Sequence, residues 1–153
     1  SSDSLAIEKK DSKLTTYTRA AGNIAEIILK WVGVGKNFNK IVEKNPQKYA
    51  EFKNQLERYF GSHQGVTECF LLKAVEKVRG KKERDEILAL MPAGFKELQG
   101  FRIDIENKGG DLQVIRLIAE IEGKQIDLEL TSEILVDMIK DRNVFDQQFN
   151  KEE

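Results

Sequence analysis

The chain has 153 residues, a net charge of −1, 40% hydrophobic and 33% charged residues, and only two prolines. That is the make-up of a water-soluble globular protein long enough to bury a core without staples. A single cysteine (Cys69) and a single histidine (His63) exclude an internal disulfide framework, multi-cysteine zinc sites and paired-histidine metal motifs, and they suit a reducing, cytoplasmic compartment.

The charge is unevenly spread. Residues 1–60 carry 11 Lys/Arg against 7 Asp/Glu, whereas residues 101–153 carry 7 against 13. A mildly basic first part followed by an acidic last part suits either two surfaces for two partners or mutual attraction within the chain. Apolar runs such as Ile27-Ile28-Leu29 fall far short of the ~20 residues of a membrane span, so no membrane partner is expected. Ser1-Ser2-Asp3-Ser4 does not open a secretory signal.

In chain order, residues 1–12 are polar, without apolar periodicity, and are expected to fray. Leu14, Tyr17, Ala21, Ile24, Ile28 and Trp31 then recur at alternating intervals of three and four, the spacing of one helix face. Ser12 or Thr15 is available as its cap, and Gly33 and Gly35 are expected to end it. A short helix around Phe38, Ile41 and Val42 follows, closed at Asn45-Pro46. Tyr49, Phe52, Leu56, Tyr59 and Phe60 outline the next, and Gly61–Gly65 reads as a loop. Further helices are predicted from Val66 to Gly80 and around Ile87, Leu88 and Met91, the second stopped by Pro92.

At Phe101 the period changes. Phe101, Ile103 and Ile105 alternate with Arg102, Asp104 and Glu106, as on a half-buried strand. Asn107-Lys108-Gly109-Gly110 is a turn. Leu112 to Ile121 is a longer strand with a bulge expected near Val114-Ile115, and a third strand carries Ile126, Leu128 and Leu130. Thr131 or Ser132 caps a helix containing Ile134, Leu135, Met138 and Ile139, and Val144, Phe145 and Phe149 suggest a last short one. The fold class is α+β: a helical N-terminal two-thirds packed with a C-terminal three-stranded antiparallel meander and one or two terminal helices. Residues 13–153 are read as one domain, with a subdivision at 13–98 and 99–153 as the alternative.

Few side chains suggest chemistry, so a non-enzymatic module without a cofactor is the leading expectation. It would be an interaction or regulatory domain that binds a protein partner, or a second copy of itself, through a helical surface. Tyr17, Ile24, Ile28 and Trp31 are its candidate contacts. The alternative is nucleic-acid binding through the cluster Lys77, Arg79, Lys81, Lys82 and Arg84, with Lys36, Lys40 and Lys44 as further candidates. Against it, Lys81–Asp85 and Lys82–Glu86 have the spacing of helical ion pairs.

A third reading starts from Glu122-Gly123-Lys124, with Asp104 or Asp111 as an upstream carboxylate. This pattern resembles the core of the PD-(D/E)xK nucleases, and the resemblance, over about twenty residues, implies Mg²⁺ held by carboxylates beside a water-orienting lysine. The same three residues also read as a hairpin tip, because Gly123 suits a turn. Gly33-Val34-Gly35-Lys36 has phosphate-loop composition but follows a helix rather than a strand, so a helix stop is the expected role. Cys69 lies in an apolar helical run and is expected to be an inert thiol, unless His63 approaches it.

Overall fold

The computed structural model describes residues 2–8, 16–52, 57, 65–96, 99–109 and 112–150. Its elements, in order, are α1 (Ser2–Glu8), α2 (Tyr17–Lys44), a 3-10 turn at Ala50–Phe52, α3 (Thr67–Arg79), α4 (Lys81–Leu90), β1 (Phe101–Gly109), β2 (Leu112–Ile121), β3 (Lys124–Leu130) and α5 (Ser132–Asn150). Helices dominate the first part and a three-stranded antiparallel meander, ordered β1-β2-β3, the second, so the α+β expectation holds.

Three boundaries differ from expectation. Residues 2–8, expected to fray, form α1, which docks where α2 begins. Asp3 accepts hydrogen bonds from the backbone N–H (3.1 Å) and hydroxyl (2.6 Å) of Thr18, and Ser2 Oγ accepts from the N–H of Tyr17 (2.9 Å). An acidic group there satisfies orphan donors and complements the positive end of the helix. Thr16 supplies the N-cap, its hydroxyl accepting from Arg19 N–H at 3.3 Å. Leu14, Ser12 and Thr15 lie outside the described residues.

Second, Gly33 and Gly35 do not stop the helix. α2 runs 28 residues and takes in the separate helix expected around Phe38. Glycine in a helix interior costs only about 1 kcal/mol, less than breaking the ladder there would. Asn45, just before Pro46, is the real C-cap. Third, α5 is one 19-residue helix rather than two. Thr131 caps it by accepting from Ile134 N–H at 3.2 Å. The helix expected over 46–60 appears as turns and the 3-10 segment as far as Phe52; Leu56, Tyr59, Phe60 and the Gly61–Gln64 loop fall outside the described residues.

In the sheet, Phe101, Ile103 and Ile105 of β1 lie opposite Ala119, Leu117 and Ile115 of β2, which in turn face Ile126, Leu128 and Leu130 of β3. These residues form the inner face. β2 alternates without interruption through Val114 and Ile115; the irregularity sits at Asn107–Gly109, where one residue of β1 has no partner opposite. The bulge expected at Val114-Ile115 is thus displaced to the end of β1, where the ladder terminates and the strand can kink at little cost.

Helices and sheet share a core. Ala25, Ile28 and Val32 of α2, Phe70, Leu71 and Val75 of α3, Ile87 of α4 and Leu135 and Met138 of α5 form one cluster with the inner face. The Phe70 ring lies 5.3 Å from that of Phe101. On its other side α2 packs closely on α5, because Ala21, Gly22 and Ala25 present almost no side chain.

Candidate functional site

The sequence-derived candidates among the described residues each have a definite place. Of the partner contacts, Ile28 is buried, and Tyr17 and Ile24 are half-buried against the chain's own core. Trp31 is half-buried as well. The Tyr17 hydroxyl donates to Glu76 Oε2 (3.2 Å), to which Arg84 Nη1 also donates (2.7 Å). This three-residue link joins α2, α3 and α4. Burial and the neighbouring Glu76 carboxylate push the Tyr17 phenol well above its ordinary value. Burial would raise Glu76 too, but hydrogen bonding from Arg84 and the charge of Lys73 outweigh it and hold the carboxyl below the usual range. Tyr17, Ile24 and Ile28 of the stripe thus serve internal packing.

Beyond Val32 the situation changes. No residue from Gly33 to Lys44 is buried. Gln113 Nε2 donates to the Val32 carbonyl (3.3 Å), which ties α2 to the start of β2 at that point. The remaining three turns carry Val34, Ile41 and Val42 on one side, with Ile41 44% exposed, and Lys36, Lys40 and Lys44 at intervals of four on the other. A helix with one apolar and one basic face is the result.

The cationic cluster is largely neutralised. Lys77 pairs with Asp141 of α5 (2.9 Å), Arg79 with Glu83 (2.7 Å), and Arg84 with Glu76 and Asp85 (2.7 Å each). The i,i+4 pairs expected at Lys81–Asp85 and Lys82–Glu86 are replaced: Asp85 takes Arg84, and Glu86 takes Lys124 at 3.7 Å. Lys81 and Lys82 are exposed on α4. Arg79 has a further task that sequence could not reveal, donating from Nη2 to the Asp127 carbonyl on β3 (2.8 Å).

The carboxylates and lysine of the nuclease-like pattern are not gathered. Glu122 (φ 49°) and Gly123 (φ 80°) are the two central residues between paired Ile121 and Lys124, which is a type I′ hairpin turn. Glu122 pairs with Lys96, whose charge and hydrogen bond hold the carboxyl below its ordinary value. Lys124 shares the parity of Ile126 and Leu128, on the helix-covered side, and reaches Glu86. Asp104 lies on the opposite face, held by Arg102 at 2.8 and 3.0 Å. Asp111 is outside the described residues. Among the described residues no group of three or more His, Cys, Asp or Glu side chains is placed to hold a metal.

Cys69 is half-buried, its thiol donating to the Gly65 carbonyl (2.7 Å). Burial, then the charges of Glu68 and Asp3, push it up to about 11, so it is a thiol rather than a nucleophilic thiolate at neutral pH. His63 lies outside the described residues. Gly33–Lys36 is continuous helix, with no turn to cradle phosphate.

Two further features belong to the tertiary structure, one a buried carboxylate that the sequence did not single out and the other the charged outer face that strand alternation did foreshadow. Glu68 is 4% exposed and joins distant segments: its carboxylate accepts from Phe95 N–H (2.8 Å), Gly65 N–H (2.7 Å) and the Thr67 hydroxyl (3.3 Å). An acidic residue in the first turn of a helix was the available signal, but it gives no hint of Phe95. The outer face of the sheet carries Asp104, Glu106, Glu120, Asp127 and Glu129 against Arg102 and Arg116, with an open hollow of about 430 Å³ beside Arg102, Ile118, Glu120 and Gln125. No helix among the described residues is long and apolar enough to cross a membrane.

Comparison with family models, curated proteins and solved structures gives no match for this chain.

Proposed function

We propose that this chain is a non-enzymatic protein-interaction or regulatory module of a reducing, cytoplasmic compartment, and that its contact surface is the outer half of α2. The observation that carries this reading is that α2 continues for three turns past its last buried residue, Val32, while remaining amphipathic. A 28-residue helix is about 42 Å long, more than its packed half requires. The apolar side around Val34 and Ile41, flanked by Lys36, Lys40 and Lys44, fits a partner groove that is apolar at its centre and acidic at its rim.

The test places a photo-crosslinking amino acid at position 41 or, for comparison, at the still more exposed Val144 on α5. A discrete protein adduct is expected from position 41 only, and Lys36→Glu with Lys40→Glu should remove it. Adducts that are absent, or the same at both positions, overturn the reading. Salt-sensitive binding of the purified chain to DNA or RNA at ~50 mM salt would instead favour the nucleic-acid alternative, through Lys81 and Lys82 or through Lys36, Lys40 and Lys44.

A further inference from the structure

The two edges of the sheet are treated differently. The inner face of β3 is fully covered, Ile126, Leu128 and Leu130 being at most 2% exposed, and its edge is tied to α3 by Arg79, which bonds to the Asp127 carbonyl. β1 is open. Among the described residues it pairs only with β2, and no group bonds to the backbone along its outer edge. Its inward residues Phe101, Ile103 and Ile105 pack on the core yet all remain partly exposed. An unpaired edge nine residues long, with apolar side chains incompletely covered, is a template for another strand.

The side chains of β1 say which strand. In an antiparallel pair of identical strands, residues whose numbers have a constant sum lie opposite one another, on the same face. With Ile103 opposite Ile103 of a second copy, Phe101 faces Ile105 and Ile105 faces Phe101 on the inner side. On the outer side Arg102 faces Asp104 and Asp104 faces Arg102. Each guanidinium then lies between its own Asp104, which it already holds at 2.8 Å, and that of the second copy. The neighbouring symmetric registers fail. Centring on Asp104 sets that carboxylate against itself, and centring on Ile105 sets Asp104 against Glu106 and Arg102 against Lys108. One register therefore satisfies both faces.

We propose that two copies of this chain associate through β1, antiparallel and centred on Ile103, to form a continuous six-stranded sheet. The surface is separate from the outer half of α2, so the two proposals stand or fall independently.

Sedimentation of the purified full chain over a range of concentrations reads the association directly. The expected result is a reversible dimer of twice the 17.5 kDa chain mass. Arg102→Asp and Asp104→Arg, made singly, each bring like charges together across the two-fold and should weaken the dimer at least tenfold. Combining both substitutions in one chain restores opposite pairing and should restore the dimer. Mixing the two single variants should give a heterodimer, because each then meets its complement. Both substitutions lie on the exposed sheet face, and a helix-to-sheet circular dichroism signature equal to that of the parent confirms folding. A chain that stays monomeric at every concentration overturns the proposal, as does a dimer insensitive to both single changes. A dimer lost with Ile41→Asp also overturns it, because that would place the contact on α2.

Discussion

The close approach of α2 to α5 at Gly22 gives a sharp test of the fold. A Cβ built on Gly22 of α2 would stand 2.5 Å from Arg142 Cβ and 3.0 Å from the Met138 carbonyl oxygen, both on α5. Ordinary contact needs about 3.4–4 Å, so Gly22→Ala must push the helices apart by roughly 1 Å where they cross. Replacing helical glycine by alanine gains about 1 kcal/mol of propensity. Forcing one extra methyl into a close-packed contact costs about 1–3 kcal/mol, and here the opposing atom is a Cβ, which cannot swing away. Loosening also disturbs the Arg142 bonds to Asn23 and Glu26, both 2.9 Å. The net expectation is a loss of about 1–2 kcal/mol, which for a chain of this size lowers the melting temperature by roughly 2–8 °C. Gly33→Ala is the matched control. It is exposed in the same helix, a Cβ there meets nothing within 4 Å, and the propensity gain should appear undiminished as a rise of roughly 1–4 °C. Arg142→Ala should not rescue Gly22→Ala, since it retains the Cβ. Thermal denaturation of the four proteins decides the matter. Equal stabilisation by both glycine replacements would refute the close α2–α5 crossing.

Glu68→Ala would orphan the N–H groups of Phe95 and Gly65 and should cost about 2–4 kcal/mol in chemical denaturation, with Glu68→Gln intermediate; a loss under ~0.5 kcal/mol would mean water already serves those donors. Stability should fall as pH rises above about 9. Cys69 is raised to about 11 in the folded chain, so between those values the unfolded thiol has lost its proton while the folded one keeps it, and the contribution present below pH 9 is lost. Cys69→Ser should delay that decline until Tyr17, raised in the same direction, begins to act above pH ~10, and unchanged alkaline curves would contradict the burial of both groups. Glu122→Asn should stabilise by about 0.5–1 kcal/mol, because asparagine tolerates the positive φ that glutamate endures in the type I′ turn. If Glu122 held Mg²⁺ instead, the same change would abolish a Mg²⁺-dependent rise in melting temperature.

Much of the fold was legible because the relevant signals are local. Alternation from Phe101 to Ile105 and from Ile126 to Leu130 marked strands whose inner faces are these residues. Gly80 (φ 94°) separated α3 from α4, and Pro92 followed the end of α4. Local signals misled where a helical glycine cost less than a broken ladder, or where packing against a distant helix set the requirement. Gly33 and Gly35 looked like a stop, yet α2 runs through them, and Gly22, unremarkable in sequence, proved to be the glycine that packing requires. The candidate sites were less legible still. Their residues were chosen by proximity in sequence, whereas side chains meet by parity and face: Asp104 and Lys124 ended on opposite sides of one sheet, and Lys77 and Arg84 found acids on other helices or earlier turns.

The sequence by itself determined the division into a basic helical part and an acidic meander, since hydrophobic period and turn residues act over a few positions. It also determined the charge pattern Arg102-x-Asp104, which is self-complementary wherever the strand lies. Only the tertiary structure decided where those features lie. It packed the first half of α2 against α3 and α5, left the second half beyond the core, tied the edge of β3 to Arg79 and, among the described residues, left the outer edge of β1 unpaired. Exposure of a face depends on which distant segments cover it, and no local spacing carries that information.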